Sequence, residues 1–299
     1  MEVSVIIVSY NTKALLRQCL SSVFEKTQDV EFEVIVVDNA SNDGSPQMVR
    51  EEFPNVTLIE SPENLGFGRA NNLGAQYAGG EYLFLLNSDT VLMNNAAKIL
   101  ADFLNSNPKA GVCGGNLFDE NKNPACSFVT LAELSVAGEL LNLLCLQPKS
   151  ASFNKKTHPI SVGCIIGADF MVRSNVFKKT GGFDPDFFMY YEEMELTYRI
   201  KKAGYKSFNV PQAQIIHLGG KSLDSEQKFK LVQMSKNVYY RKTQSRFGFL
   251  ACNGIFFLTI LSRIMLFTVM RNEENVVLWK RMLVEFERPG LSSKRTDNE

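Results

Sequence analysis

The chain has 299 residues, of which 45% are hydrophobic, and Lys plus Arg equal Asp plus Glu at 32 each. This length and apolar content suit one large domain, or one domain with an appendage. The net charge of zero provides no general basic field, which argues against nucleic-acid binding.

The cysteines and the amino terminus indicate the cellular compartment of the protein. Six cysteines are present and none has C-x-x-C spacing, so free thiols in a reducing environment are the simpler interpretation. Met1-Glu2 leads almost directly into the first apolar segment, with no basic stretch or separate hydrophobic segment for export. The sequence therefore predicts a cytoplasmic protein.

Three apolar segments each end in polar residues. They are Val3 to Val8 before Ser9-Tyr10-Asn11, Phe32 to Val37 before Asp38-Asn39-Ala40-Ser41, and Tyr82 to Leu86 before Asn87-Ser88-Asp89. Such uniformly apolar strands are covered on both faces, which predicts an α/β fold with a mostly parallel sheet between helices. Ligands bind beyond the carboxyl ends of such strands. For any one of these polar residues, capping of a helix or turn is an alternative role.

Further elements follow in chain order up to residue 115. The first predicted helix begins after a cap at Thr12 and ends at about Phe24, and the second begins at a cap at Ser45 with Pro46 at its first position. A third helix follows the glycine-bearing turn at 64–72, and a fourth covers 94–105. The predicted strands are 56–59 and 110–115.

The alternation of strands and helices breaks between about residues 119 and 160, where we expect an excursion or lid over the cleft. The later predicted elements are a strand over 161–172, a turn at 181–185, a helix over about 191–203, extended pieces at 208–211 and 215–217, and helical structure from Ser225 onward.

The apolar segment Phe247 to Met270 is long enough to span a bilayer, but Asn253 and Arg263 interrupt it and basic residues flank it. We favour an interfacial or re-entrant helix pair with peripheral contact to the inner face of the membrane. The alternative is a soluble helical hairpin that packs on the preceding domain or on a second subunit, which leaves a homo-oligomer open.

Three acidic residues, Glu192, Glu193 and Glu195, follow the aromatic run Phe187 to Tyr191. Aromatic surroundings can raise the pKa of a carboxylate toward that of a useful base. Acidic residues are also common at helix N-termini because of the helix dipole, so these residues alone do not decide between the two roles.

His217 and Asp89 offer a nitrogen and an oxygen donor from distant parts of the chain. A lone histidine after apolar residues is more often structural than a ligand. If the two lie side by side, they suit Mn²⁺ or Mg²⁺, and such an ion would neutralise a diphosphate leaving group.

Five ordered motifs carry a family resemblance. They are VIIVSYN at 5–11, VVDNASNDGS at 36–45, NLGF at 64–67, LNSDT at 86–90 and GGFD at 181–184. Together they resemble family 2 glycosyltransferases of the GT-A fold, and the segment from Phe187 to Arg199 is most similar to the rhamnosyltransferase-like branch. The resemblance covers about residues 3 to 222, which implies a GT-A catalytic domain at 1–222 and a C-terminal helical region at 223–299 that could associate with a membrane.

The resemblance implies a set of nucleotide-binding and donor-binding residues, with Arg69 placed to contact the diphosphate. The set comprises Ser9, Tyr10, Asn11, Asp38, Asn39, Ser41, Gly66, Phe67, Arg69, Asn87 and Ser88.

Asn87-Ser88-Asp89 matches the family's Asp-x-Asp metal motif, but its first carboxylate is replaced by Asn. Asp89 is left as the main anionic metal ligand, and His217 falls where relatives place a second protein ligand. The implied cofactor is a divalent cation, Mn²⁺ or Mg²⁺.

The catalytic base implied by the resemblance is Glu193, which is Glu where the family usually has Asp, and Glu192 is the runner-up. Gly167, Ala168 and Asp169 are expected to line the sugar and acceptor pocket. The implied reaction is an inverting transfer from a UDP- or dTDP-sugar, with dTDP-rhamnose suggested by the branch. The acceptor would be a saccharide or lipid-linked saccharide used in surface polysaccharide synthesis.

Two other functions remain open from the sequence. A sugar nucleotidyltransferase would share the fold and the metal, but it is expected to carry a glycine-rich basic loop after the first strand, where this chain has Tyr10-Asn11-Thr12. A non-catalytic module that binds a nucleotide-sugar would need neither Glu193 nor the metal.

Overall fold

The computed structural model describes residues 1–129, 135–146, 152–219 and 225–286. The chain divides into two compact units, the first from Met1–Leu131 and Ser150–Tyr239, the second from Ala132–Lys149 and Tyr240–Glu299. The predicted domain boundary between 222 and 223 falls outside the described residues.

The first unit contains eleven short or medium strands among the described residues. They are β1 (Val3–Ser9), β2 (Phe32–Asp38), β3 (Thr57–Glu60), β4 (Tyr82–Asn87), β5 (Thr90–Leu92), β6 (Ala110–Phe118), β7 (Phe128–Val129), β8 (Ile160–Val162), β9 (Cys164–Ile165), β10 (Asp169–Arg173) and β11 (Lys206–His217).

Ten helices are described across the two units. They are α1 (Lys13–Lys26), α2 (Ser45–Glu52), α3 (Phe67–Tyr77), α4 (Ala96–Ser106), α5 (Val136–Leu143), α6 (Ser174–Thr180), α7 (Glu192–Lys202), α8 (Ser225–Thr243), α9 (Arg246–Val269) and α10 (Glu273–Phe286).

The main sheet has the strand order β3-β2-β1-β4-β10-β6-β11-β5, with β8 also paired to β11. Strands β3, β2, β1 and β4 are parallel to one another, as are β6 and β11. Strand β10 is antiparallel to β4 and β6, and β5 and β8 are antiparallel to β11. The prediction of a mostly parallel sheet with helices is confirmed, with antiparallel strands added in the second half.

Alternate residues of the central strands supply two hydrophobic layers, because successive strand side chains point to opposite faces. Val5 and Ile7 pack with Leu16 and Leu20 of α1 on one face. On the other face, Ile6 and Leu85 pack with residues of α6 and α7, including Phe177, Leu196 and Ile200. Helices therefore cover both faces, as the apolar strand sequences predict.

The second half of the first unit differs in detail from the sequence prediction. The expected strand over 161–172 is divided into β8, β9 and β10, and the helix α6 that follows was not predicted. The two extended pieces at 208–211 and 215–217 belong to one strand, β11, whose register against β6 shifts between Asn209 and Gln214. Pro211 lies in this interval, where a missing N–H suits an irregular strand.

The second unit is helical in its described part. The Tyr240 hydroxyl donates a hydrogen bond to Glu139 of α5, and the Arg263 guanidinium of α9 donates to the Asn142 carbonyl at 2.7 Å. Helix α9 is the one described helix long and apolar enough to cross a membrane, judged by length and composition. It is continuous over Arg246–Val269, so the helix pair expected within 247–270 is instead a single helix that packs against α10.

Gly74 of α3 packs closely against the central sheet. A Cβ atom at this position would lie 2.6 Å from Cγ2 of Ile6 and 3.1 Å from Cγ2 of Val37, so α3 would have to move away from the sheet. We expect Gly74→Ala to lower the free energy of unfolding by about 1–2 kcal/mol, as overpacking outweighs the better helix propensity. Urea unfolding followed by circular dichroism measures this change.

The matched control is Gly79→Ala, where the nearest atom to an added Cβ is Oε1 of Glu33 at 3.5 Å. This variant should stay within about 0.5 kcal/mol of the wild type. Equal stabilities for the two variants would contradict the packing argument.

Candidate active site

The carboxyl ends of three parallel strands meet at one rim of the sheet. Ser9 pairs with Asp38 and Val8 with Asn87. The Ser9 hydroxyl lies 2.9 Å from that of Thr12, which lies 3.0 Å from that of Ser88. The structure thus brings the predicted polar strand ends together, and a chain of hydroxyl groups connects β1 to the end of β4.

The loops after β1 and β2 interlock. The Asn11 N–H donates to the Ser41 hydroxyl at 2.9 Å, and the Asn42 N–H donates to the Asn11 side-chain oxygen at 2.8 Å. Asn11 has φ of 52°, a left-handed conformation that asparagine tolerates better than most residues. The exposed side chain of Tyr10 adjoins this loop. The result is a preformed polar rim with an aromatic ring beside it.

Asp38 offers an unused acceptor at this rim. Its Oδ2 accepts from the Ser41 N–H at 2.8 Å, while its Oδ1 is buried without a partner in the protein. Buried polar atoms are nearly always hydrogen-bonded. A hydroxyl or N–H donor from a ligand would therefore fit Asp38.

Asn39 has a different role in the structure from a direct ligand contact. Its side-chain nitrogen donates to the Gly66 carbonyl at 3.1 Å, and its side-chain oxygen accepts from the Leu65 N–H at 3.2 Å. Because the amide is used internally, Asn39 fixes the position of the turn that begins α3.

Gly66 and Phe67 hold the turn before α7. The Phe67 N–H donates to the Phe188 carbonyl at 2.9 Å. Gly66 has φ of 77°, and a Cβ atom there would lie 2.2 Å from the Phe188 carbonyl oxygen, so only glycine permits this approach. Arg69 uses its Nε to donate to the Pro185 carbonyl at 2.9 Å, and its side chain is exposed.

Asp89 and His217 come together although they are distant in sequence. Asp89 lies in the turn between β4 and β5, and His217 is the last residue of β11, paired with Thr90. His217 Nε2 lies 3.3 Å from Asp89 Oδ1, and both side chains are partly exposed. The described residues contain no group of three or more His, Cys, Asp or Glu side chains that could hold a metal ion.

This pair fits a divalent cation that takes its remaining ligands from elsewhere. A carboxylate oxygen and an imidazole nitrogen are both ligands that Mn²⁺ accepts. With two protein donors, the remaining coordination positions would be left to water and to oxygens of a bound ligand.

Glu192 and Glu193 begin α7 and are almost completely buried. Oε2 of each glutamate is buried without a partner. Burial raises the pKa of Glu193 from its ordinary 4.5 to about 7. Burial, and then the nearby charge of Glu193, raises the pKa of Glu192 well above its ordinary value.

Glu195 is separated from this pair by its own partner. Its carboxylate accepts hydrogen bonds from Nε of Arg199 at 2.8 and 2.9 Å. The charge of Glu195 is thereby paired with that of Arg199 within α7.

Residues 167 and 168 lie between the rim of the sheet and the buried acids of α7. The Asn87 N–H donates to the Ala168 carbonyl at 3.0 Å, and a Cβ atom at the adjacent Gly167 would lie 3.9 Å from Cδ of Glu193. The rim that carries Ser88 and Asp89 therefore lies next to the buried acids of α7.

The predicted pocket residues are not equivalent. Gly167 is partly exposed, and a Cβ there would meet Phe67 at 3.5 Å. Ala168 and Asp169 are buried, and the Asp169 carboxylate accepts from the Gly115 N–H below the rim. The side chain of Asp169 therefore faces the core of the sheet, unlike the pocket position expected from the sequence.

A strained turn before α7 was not predicted. Tyr190 and Tyr191 are consecutive non-glycine residues with φ of 71° and 68°, a costly arrangement that the surroundings must enforce. Helix α8 supplies part of this support: the Ser235 hydroxyl donates to the Met189 carbonyl at 2.7 Å, and the Tyr239 ring lies 5.8 Å from that of Tyr191. Contacts between residues so far apart in the sequence leave no local sequence signal.

A family model described as "Glycosyl transferase family 2" matches residues 4–181, more than half of the chain. The chain belongs to glycosyl transferase family 2. The matched range includes β1, β2, β4 and Gly167 but ends before the acids of α7.

Among curated proteins, this family 2 glycosyltransferase is 28% identical over 252 residues to an N-acetylglucosaminyl-diphospho-decaprenol L-rhamnosyltransferase of Mycobacterium tuberculosis. The alignment covers 79% of this chain and 82% of the relative. The expected rhamnosyltransferase-like resemblance is confirmed at this level.

Solved structures confirm the GT-A-like fold. Staphylococcus aureus TarS 1-349 in complex with UDP matches with a TM-score of 0.57 and 18% identity, over 96% of this chain and 80% of that one. GalNAc-T7 with UDP, GalNAc and Mn²⁺ matches with a TM-score of 0.59 and 19% identity, over 80% of this chain. The chain spans half the length of the GalNAc-T7 chain.

The raised pKa of Glu193 predicts a pH-dependent cost to stability. Below the unfolded pKa of about 4.5 the carboxyl is protonated in both states, and as pH rises through the folded pKa of about 7 the folded protein must hold a buried charge. Stability is therefore lost with rising pH. We expect the free energy of unfolding of Glu193→Gln to exceed that of the wild type by about 1–3 kcal/mol at pH 8. At pH 4.5 the two free energies of unfolding should be about the same.

Urea unfolding at both pH values measures this difference, and Glu120→Gln, at an exposed position, is the control with no expected pH effect. A difference between Glu193→Gln and wild type that does not change with pH would contradict the buried-charge account.

Proposed function

We propose that the chain is an inverting, metal-dependent glycosyltransferase with Glu193 as its general base. The observation that carries the proposal is the junction at residues 167 and 168, where the Asp89 rim meets a buried carboxyl with a pKa of about 7. A general base works best when its pKa lies near the working pH. Glu192, whose pKa burial also raises well above its ordinary value, is the second candidate for the base.

The donor would be a nucleoside-diphosphate sugar bound along the rim. The free Oδ1 of Asp38 suits a hydroxyl or N–H of the nucleoside, and Tyr10 offers a ring for contact. Ser9, Asn11, Ser41, Asn87 and Ser88 would complete this polar edge, while Asn39, Gly66 and Phe67 hold its shape.

Asp89 and His217 would hold the divalent cation, whose chemistry is to neutralise negative charge on the diphosphate as it leaves. The partly exposed guanidinium of Arg69 would add a positive charge at the same end. TarS and GalNAc-T7 were solved with UDP, and the latter with Mn²⁺, which supports this assignment of donor and cofactor.

Glu193 would take the proton from the attacking acceptor hydroxyl. Its position in the first turn of α7, beside Gly167, holds the carboxylate in place. Removal of the charge by protonation would stop this step, so activity should follow the ionised fraction of Glu193. An inverting transfer needs base and leaving group on opposite faces of the sugar.

The sugar and acceptor are proposed from the curated relative. Its name specifies L-rhamnose as the sugar and a decaprenol diphosphate-linked saccharide as the acceptor. We assign dTDP-rhamnose as the donor and a lipid-linked saccharide of surface polysaccharide synthesis as the acceptor, with the enzyme at the cytoplasmic face of the membrane. Residues 1–222 would then form the catalytic domain.

The base assignment predicts the effect of Glu193→Gln. With dTDP-rhamnose as donor, kcat should fall by about a hundredfold or more, while donor binding measured by thermal shift should stay close to that of the wild type. Wild-type kcat should rise with pH and level off above the pKa of about 7.

Glu192→Gln separates the two candidate acids and should have the smaller effect on kcat, and the exposed Glu120→Gln should have none. A larger loss in Glu192→Gln would transfer the base role to Glu192. A nearly normal kcat in Glu193→Gln would contradict the proposed mechanism.

The metal assignment predicts altered cation dependence in Asp89→Asn and His217→Ala. After removal of cations by a chelator, each variant should need at least about tenfold more Mn²⁺ for half-maximal activity, because each loses one of two protein ligands. Asp102→Asn removes an exposed carboxylate paired with Lys98 and should respond to Mn²⁺ as the wild type does. Wild-type Mn²⁺ dependence in both site variants would refute the assignment.

A further inference from the structure

Helix α9 of the second unit exposes an apolar stripe along one face. The stripe consists of Phe247, Leu250, Gly254, Leu258, Leu261, Met265 and Val269. Its spacing of three and four residues places these side chains on one side of the helix, over roughly 33 Å. The exposed fraction is 84% for Phe247, 68% for Met265 and 76% for Val269. An exposed apolar surface of this extent marks an interaction site.

The opposite face of α9 is already covered within the second unit. Its buried residues are Cys252, Phe256, Thr259 and Ile260. The rings of Phe256 and Phe257 lie 6.1 and 5.6 Å from that of Phe286 in α10. The stripe is therefore the outward face of a packed helix.

The border of the stripe favours lipid over a second protein surface. Protein–protein interfaces have a polar rim around an apolar centre, whereas exposed Leu266 and Met270 extend this surface sideways. From 247 to 270 the sequence has one charged residue, Arg263, and its guanidinium is bound to the Asn142 carbonyl at 2.7 Å.

Positive charges stand at the two ends of the stripe. Arg246 begins α9 and Arg271 follows it, and both are exposed. Arg271 and Lys280, together with Glu273, line a shallow cavity of about 430 Å³ at the corner between α9 and α10. Residues 225–286 contain ten Lys and Arg against four Asp and Glu, although the whole chain is neutral. This distribution complements anionic lipid headgroups.

The charges of α10 favour a helix that lies on the membrane over one that crosses it. Helix α10 packs along α9, and its exposed Lys280 is the eighth residue of the helix, roughly 11 Å from its start. If α9 crossed the bilayer with α10 beside it, this ammonium group would lie within the hydrocarbon, which is strongly unfavourable.

We propose that the second unit docks on an anionic lipid bilayer through the α9 stripe, with the helix axis in the membrane plane. The apolar stripe enters the boundary between headgroups and acyl chains, and Arg246, Arg271 and Lys280 meet lipid phosphates. This inference stands independently of the proposed sugar transfer.

Vesicle flotation of the full chain tests the proposal. The wild type should float with vesicles of phosphatidylcholine that contain about one quarter phosphatidylglycerol, and bind at least about tenfold less to phosphatidylcholine alone. Leu258→Glu and Met265→Glu should each lower the ratio of bound to free protein at least about tenfold. Tyr77→Glu, at a 57% exposed position of the first unit, is the matched control and should bind as the wild type does.

Thermal unfolding of each variant verifies that it is folded, and alkaline carbonate should release the bound wild type. Three results would overturn the proposal: no flotation of the wild type, unchanged flotation of the stripe variants, or resistance to carbonate. A fourth is a wild-type dimer in detergent-free solution that Met265→Glu dissociates, without vesicle binding, because the stripe would then be covered by a second copy.

Discussion

The parallel pairing of β1 with β2 and β4 is the constraint on which the site depends. It brings Ser9, Asp38 and Asn87 to one edge, so polar groups from three separate segments need no further loop to meet. The strands can be this apolar because helices cover both faces, and the polar residues are excluded from the core to the strand ends. The same apolar packing that stabilises the sheet therefore fixes the location of its polar edge, where open parallel sheets in general bind their ligands.

The buried acids of α7 destabilise the folded protein, and contacts with the surrounding structure offset this cost in free energy. Two adjacent buried carboxyls with raised pKa values favour their neutral forms, and the left-handed Tyr190 and Tyr191 add backbone strain. Support comes from two sides: Gly66 allows close approach to Phe188, and α8 contacts the turn. These contacts hold the turn before α7, and with it the two acids, in a fixed position.

The sequence predicted the local elements of the first half well, because each is specified by its own apolar pattern and turn residues. The meeting of Asp89 with His217 depends on the pairing of β5 with β11, which no local pattern contains, and the family resemblance supplied it. Asp169 shows the opposite case: it follows Gly167 and Ala168 in sequence, but the alternation of strand side chains directs its carboxylate to Gly115 in the core. Helix α6 was missed because its seven residues are too short for a clear helical period.

Composition averaged over the chain conceals the charge distribution of this protein. A net charge of zero excludes a uniform basic surface, but it does not exclude a basic segment balanced by an acidic remainder. Residues 225–286 hold ten of the 32 basic residues and four of the 32 acidic ones. Since electrostatic attraction to a surface decays over roughly 8–10 Å at physiological salt, it depends on the charges near the contact and not on the sum for the chain. A basic helical segment is therefore compatible with the overall neutrality of the chain.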